Sequence, residues 1–188
     1  LFFFLKSFCP LEKILLYWKP ILISLFFPLS KLINYYLSPF AKFNTTKLSS
    51  YILDLMSIYH ERLYNEIYFS GKKIVITDGC SGTDQLIFTI TVILIFLLNY
   101  HLRSINNILK ILIYSIGISF FMNGIRISLL SVLFVKDNVI YDNLFKFLHD
   151  SYGSLVFSFL SVTLCSSIYL QLLNKELENE NHLKNKNL

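Results

Sequence analysis

From Ser151 to Asn174 the chain runs twenty-four residues without a charged side chain, and from Gln85 to Tyr100 it runs sixteen. These runs constrain the fold more than any other feature. A hydrocarbon core about 30 Å thick is crossed by about 20 apolar residues of helix. Only a helix or a closed barrel satisfies its own backbone groups there. Two more stretches fit: about 14–37, interrupted by Lys19, Pro20, Pro28 and Lys31, and about 107–135, with Lys110 at one end and Arg126 near the other. Charged residues make up 15% of the chain, against about 25% in a soluble domain. The predicted architecture is therefore all-α, a polytopic transmembrane helical bundle with about four spans at 14–37, 85–100, 107–135 and 151–174, in one domain over 1–174. A start at Leu1 rather than Met predicts an incomplete chain, with the apolar 1–5 the end of an earlier span or of a signal segment.

The segment at about 38–82 differs from the spans. Tyr51, Leu55, Ile58, Leu63 and Ile67 recur at helical spacing among Asp54, His60, Glu61, Arg62 and Glu66. That pattern predicts an amphipathic helix on the membrane surface or over the bundle. After Gly71, the β-branched run from Lys72 to Thr77 predicts a strand leading into a turn at Asp78-Gly79. The tail, 175–188, is built of Asn, Lys and Glu and is expected to be disordered. The basic residues Lys6, Lys13, His101, Arg103, Lys175, Lys184 and Lys186 put the start, the loop at Arg103 and the tail in the cytoplasm. Residues 38–82 and 136–150 then face the extracytoplasmic side. The net charge of +5 fits a membrane face, with the lipid bilayer as partner and no nucleic acid.

Three reactive residue types converge on that outer boundary. Cys80 lies in Asp78-Gly79-Cys80-Ser81-Gly82, ahead of the second span. Arg126 lies in Asn123-Gly124-Ile125-Arg126-Ile127, and His149 in His149-Asp150-Ser151-Tyr152-Gly153, at the head of the fourth span. Each has a bland reading: an apolar filler for the cysteine, a snorkelling anchor for the arginine, a polar loop and helix cap for His149-Asp150. Their conjunction is stronger. An ionisable residue inside a span is costly and marks function by default, and a cysteine nucleophile needs a base and an electrostatic partner.

Other sites find no support in the sequence. His60-Glu61 lacks the second histidine of a zinc-protease helix, no Cys or His pair has zinc spacing, and no glycine-rich loop could cradle phosphate. No metal or cofactor is expected. Cys9 falls on the cytoplasmic side and Cys165 in mid-span, so neither is expected to pair with Cys80.

The order of these motifs resembles the exosortase/archaeosortase family of membrane-embedded cysteine transpeptidases. The resemblance lies in Cys80-Ser81-Gly82 at the head of a span, Asn123-Gly124-Ile125-Arg126-Ile127 in the next, and His149 with Gly153 at the start of the following one. It covers 71 to about 173. Thr83-Asp84 departs from the apolar residue often found after Cys-Ser-Gly in the family. The resemblance implies a protease or transpeptidase acting on exported proteins that carry a C-terminal sorting signal: a short motif such as Pro-Glu-Pro, a transmembrane helix and a basic tail. It implies Cys80 as nucleophile, His149 as general base and acid, and Arg126 stabilising the oxyanion or the thiolate. Asn123, three residues before Arg126 on about the same face, is a candidate to orient it. Asp150 is a candidate to orient His149 or to cap a helix, and Ser81 and Gly82 are supporting residues of the cysteine motif. The active site would face the extracytoplasmic side of the cytoplasmic (inner) membrane. The competing readings are a non-enzymatic transporter subunit or scaffold, and an inactive relative that only binds sorting helices.

Overall fold

The computed structural model describes residues 18–136 and 139–186. Cys9, Lys6, Lys13 and the expected start of the first span at 14–17 lie outside the described residues. The chain is predominantly helical. Helix α1 spans Trp18–Leu55, then strands β1 (Glu61–Leu63), β2 (Glu66–Phe69) and β3 (Lys72–Val75) form an antiparallel meander. A 3-10 turn at Asp78–Cys80 leads into α2 (Thr83–Asn99), followed by α3 (Ile105–Val135), α4 (Val139–His149) and α5 (Ser151–Lys186). Helix α3 is central and packs against α1, α2, α4 and α5.

Two helical stretches, Ile105–Val135 and Tyr152–Glu180, are long and apolar enough to cross a bilayer. They correspond to the spans expected at 107–135 and 151–174. The 85–100 stretch forms a 17-residue helix, about 26 Å long against a core of about 30 Å. The 14–37 stretch supplies the first part of the 38-residue α1. Length and hydropathy thus support two of the four expected spans among the described residues.

The amphipathic helix expected around 51–67 is not formed. Residues 38–55 continue α1, which stops in a left-handed cap. Ser57 takes φ +57°; its N–H bonds Asp54 O at 2.9 Å, and the Ile58 N–H bonds Leu53 O at 3.0 Å. This pair of bonds satisfies the last carbonyls of a helix and turns the chain away. Ile58 packs back on the buried Leu53, which is why its spacing mimics a continuing helix. His60 seals the turn, with Nδ1 against Ile58 O at 2.9 Å and Nε2 against Ser50 Oγ at 2.6 Å. Beyond it, Leu63 pairs with Glu66, and Phe69 with Lys72, so each hairpin closes over two residues. The strand expected from Lys72 is present as β3.

The tail expected to be disordered instead extends α5 to Lys186. The reason is tertiary: Glu176 accepts hydrogen bonds from the Arg103 and Ser104 N–H groups at 2.7 and 3.1 Å and from Asn107 Nδ2 at 2.6 Å. A carboxylate there ties down the residues that lead into α3 and complements the positive end of its dipole. Arg103 also pairs with Glu180 at 2.7 Å.

Two apolar clusters hold the bundle. Leu53, Ile67, Phe69, Ile76, Ile127 and Leu130 join the sheet to α1 and α3, and Cys80 borders them. Ile93, Leu102, Ile111, Cys165 and Tyr169 fill the end where α2 passes to α3. Between them, small and polar residues line the helix contacts. Ser115, Ser119, Gly124, Ser128 and Ser131 are buried on α3, and Leu48 lies so close to Gly124 that an added Cβ would meet it at 2.6 Å. Small side chains let helices approach closely where lipid removes the usual hydrophobic drive.

Candidate active site

Cys80 is placed by a turn that three helices and the sheet anchor. Asp78 accepts from the Ser38 hydroxyl and pairs with Lys42 Nζ at 2.9 Å, which ties the turn to α1. That hydrogen bond from Ser38, and then Lys42, hold the Asp78 carboxyl below its usual range. Ser81 Oγ donates to Asp78 O at 2.6 Å and accepts the Thr83 N–H at 3.3 Å. The next two carbonyls are also held: Asn123 Nδ2 donates to Cys80 O at 3.1 Å, and Thr45 Oγ1 donates to Ser81 O at 2.8 Å. Gly82 follows with φ +83°, and an added Cβ would meet Asn123 Nδ2 at 2.6 Å. Both the left-handed backbone and the contact therefore demand glycine here. The Cys80 thiol is free and half-buried, one turn ahead of the α2 N-terminus.

His149 arrives on α4. Its ring stacks on Phe145 at 5.5 Å between centroids. Cys80 and His149 line one cavity of about 140 Å³, together with β3, Ile127 and Phe145. The structure thus brings these two predicted residues, 69 positions apart, to a common space.

Arg126 is 3% exposed. Its guanidinium lies within electrostatic range of Cys80, yet its hydrogen bonds go elsewhere. Nε donates to Leu148 O and Nη2 to His149 O, both at 3.2 Å. These carbonyls end α4, where a helix leaves acceptors open and favours a cation. Gly153 lets the junction close, because a Cβ on it would fall 2.3 Å from Leu148 O.

Asn123 differs from its expected contact. Asn123, placed by its spacing beside Arg126, turns its amide to the Cys80 carbonyl instead. Asp150 reaches His149 Nδ1 only at 3.5 Å, with both side chains more than half exposed. Ser81 and Gly82 shape the turn ahead of α2. The unusual Thr83-Asp84 docks α1: Thr83 Oγ1 donates to Asn34 Oδ1 at 2.5 Å, and Asn34 Nδ2 donates to Asp84 Oδ1 at 2.8 Å. Among the described residues, no group of three His, Cys, Asp or Glu could hold a metal.

Two site residues escape the sequence reading. Thr45 belongs to a buried run of Thr45, Thr46, Ser49 and Ser50 on α1, a small-polar stripe that signals close helix contact. Lys73 lines the cavity from β3 and pairs with Glu66 at 3.5 Å. The Tyr68 hydroxyl, and then Lys73, hold the Glu66 carboxyl below its usual range. Nothing in the spacing of Lys73 points at Cys80; the hairpin brings it there.

A family model described as transmembrane exosortase matches residues 3–166. The chain belongs to the transmembrane exosortase family. The match spans the Cys80 turn, Arg126 and the His149 junction, and with the apolar helices it makes the chain a membrane protein. No curated protein and no solved structure matches it.

Proposed function

We propose that this exosortase is a membrane cysteine transpeptidase or protease that cleaves C-terminal sorting signals from exported proteins. One observation carries the reading: a half-buried thiol at a helix start shares a small cavity with a histidine held at a helix end. His149 takes the Cys80 proton as the sulfur attacks the scissile carbonyl. The tetrahedral intermediate then collapses. The C–N bond breaks, His149 returns the proton to the leaving amine, and the substrate remains as a thioester on Cys80. An acceptor amine or water attacks the thioester, and the thiol is restored. Arg126 is the fixed cation beside the pair. No cofactor takes part.

In this reading the substrates carry a short motif, a transmembrane helix and a basic tail, and the site faces the extracytoplasmic side of the cytoplasmic membrane. A scaffold or transporter subunit is the competing reading. It calls for an acidic partner or substrate at Arg126, whereas the guanidinium sits on two carbonyls. The test is cleavage of an exported reporter bearing such a signal. Cys80→Ala at matched membrane levels should abolish cleavage, and Cys80→Ser should nearly do so. Normal cleavage by Cys80→Ala would remove the enzyme reading.

A further inference from the structure

We infer that Arg126 is a positioning residue: it acts through the backbone of the α4–α5 junction to hold His149 at Cys80, rather than by contacting the thiolate or an oxyanion. The inference rests on the cysteine–histidine reading above. Its first support is the direction of the donors. Two donors on one edge of the guanidinium, Nε and Nη2, are committed to consecutive carbonyls, Leu148 O and His149 O. A planar fork binding two acceptors fixes an angle as well as a distance. The second is burial. A cation at 3% exposure needs acceptors, and these are the carbonyls that α4 leaves open. The third lies on the far side of the same junction, where Gly153 leaves room for Leu148 O at a distance that any side chain would violate. The arginine pulls the end of α4 inward, and the glycine lets it come. The stacked Phe145 ring then sets the face that His149 turns to the cavity.

This arrangement separates two ways of losing the junction. Arg126→Lys removes the fork but keeps a charge. Gly153→Ala keeps the arginine and displaces the carbonyl. If Arg126 works through His149, both variants resemble His149→Ala. The experiment follows the rate of Cys80 alkylation by iodoacetamide against pH, on the full chain in membranes. Cys9 and Cys165 are replaced by alanine, so that Cys80 is the only thiol. Arg126→Lys, Gly153→Ala and His149→Ala should shift the profile alike. Alkylation at neutral pH should slow by about threefold or more, and by the same factor in all three. Combined with His149→Ala, neither of the other two should slow it further. If Arg126→Lys slows the His149→Ala chain by its full factor, Arg126 acts on the sulfur directly and the inference falls, while the cysteine–histidine pair stands. A wild-type profile for Gly153→Ala overturns it in the same way. If His149→Ala leaves the profile unchanged, the pair itself falls, and the inference with it. Either Arg126→Lys or Gly153→Ala, tested with and without His149, decides alone if the other fails to accumulate.

Discussion

The two ends of the bundle hold the same side chain in opposite settings. Cys80 is half-exposed at a turn, bordered by a cavity, a histidine and a buried cation. Cys165 is fully buried among Ile93, Leu102, Ile111 and Tyr169. Around Cys80 the packing is made by hydrogen-bonded carbonyls, a left-handed glycine and small side chains. Around Cys165 it is made by aliphatic and aromatic surface, with the Tyr169 hydroxyl donating to the Tyr100 carbonyl and Glu176 closing the start of α3. A thiol is an inert filler where it is sealed in apolar surroundings and open to chemistry where it borders a cavity and a base. Residue type does not separate these two cysteines; surroundings do.

The largest expected contrast follows directly. An impermeant maleimide applied to intact cells should label Cys80 and leave Cys165 unmodified, and Cys165→Ala should keep reporter cleavage near wild type. Labelling of Cys80 only after permeabilisation would reverse the proposed orientation. Loss of cleavage in Cys165→Ala equal to that in Cys80→Ala would erase the distinction between the two ends.

A middle-sized effect sharpens the same comparison through glycine. Gly82→Ala meets both a positive φ and the Asn123 amide, and should cost about 2–3 kcal/mol, combining left-handed strain with overpacking. Gly117, within α3, has nothing within 4 Å of its would-be Cβ. Gly117→Ala should be neutral or stabilise by about 0.5–1 kcal/mol, as alanine usually does in a helix. Thermal unfolding in detergent, read as loss of helical signal, checks both; equal midpoints would show that the Cys80 turn is not built on that contact.

The smallest effect concerns Asp78, whose carboxyl is exposed and held below its usual range by Ser38 and then Lys42. A lowered folded-state pKa contributes stability above the ordinary carboxylate pKa and loses it as pH falls through the folded value. Wild type should therefore lose stability relative to Asp78→Asn as pH drops from about 5 to about 3. Parallel melting curves over that range would show that the tie of the turn to α1 carries no pH dependence.

Much was legible before any coordinates. Period and composition are local properties, so uncharged runs fixed the helical character, and β-branched residues after Gly71 marked a strand that is present. The motif order marked the family. Apolar spacing failed at 51–67, because the same spacing arises when Ile58 folds back on Leu53 through a left-handed cap at Ser57. At the tail, where composition predicts disorder, α5 continues to Lys186, and Glu176 is held at the start of α3, an element distant in the chain.

For the site, the sequence by itself determined which residue types were present and in what order: a cysteine before one helix, an arginine inside the next, a histidine ahead of the last. Only the tertiary structure decided what each one touches. Asn123 and Arg126 share a helix one turn apart, yet one holds the Cys80 carbonyl and the other the end of α4. Thr45 and Lys73 join the site from elements that no local pattern connects to it. The physical reason is that hydrogen bonds to carbonyls depend on where two backbones meet. That meeting is set by close contacts at Gly82 and Gly124, between elements far apart in the chain, and at the α4–α5 junction by Gly153.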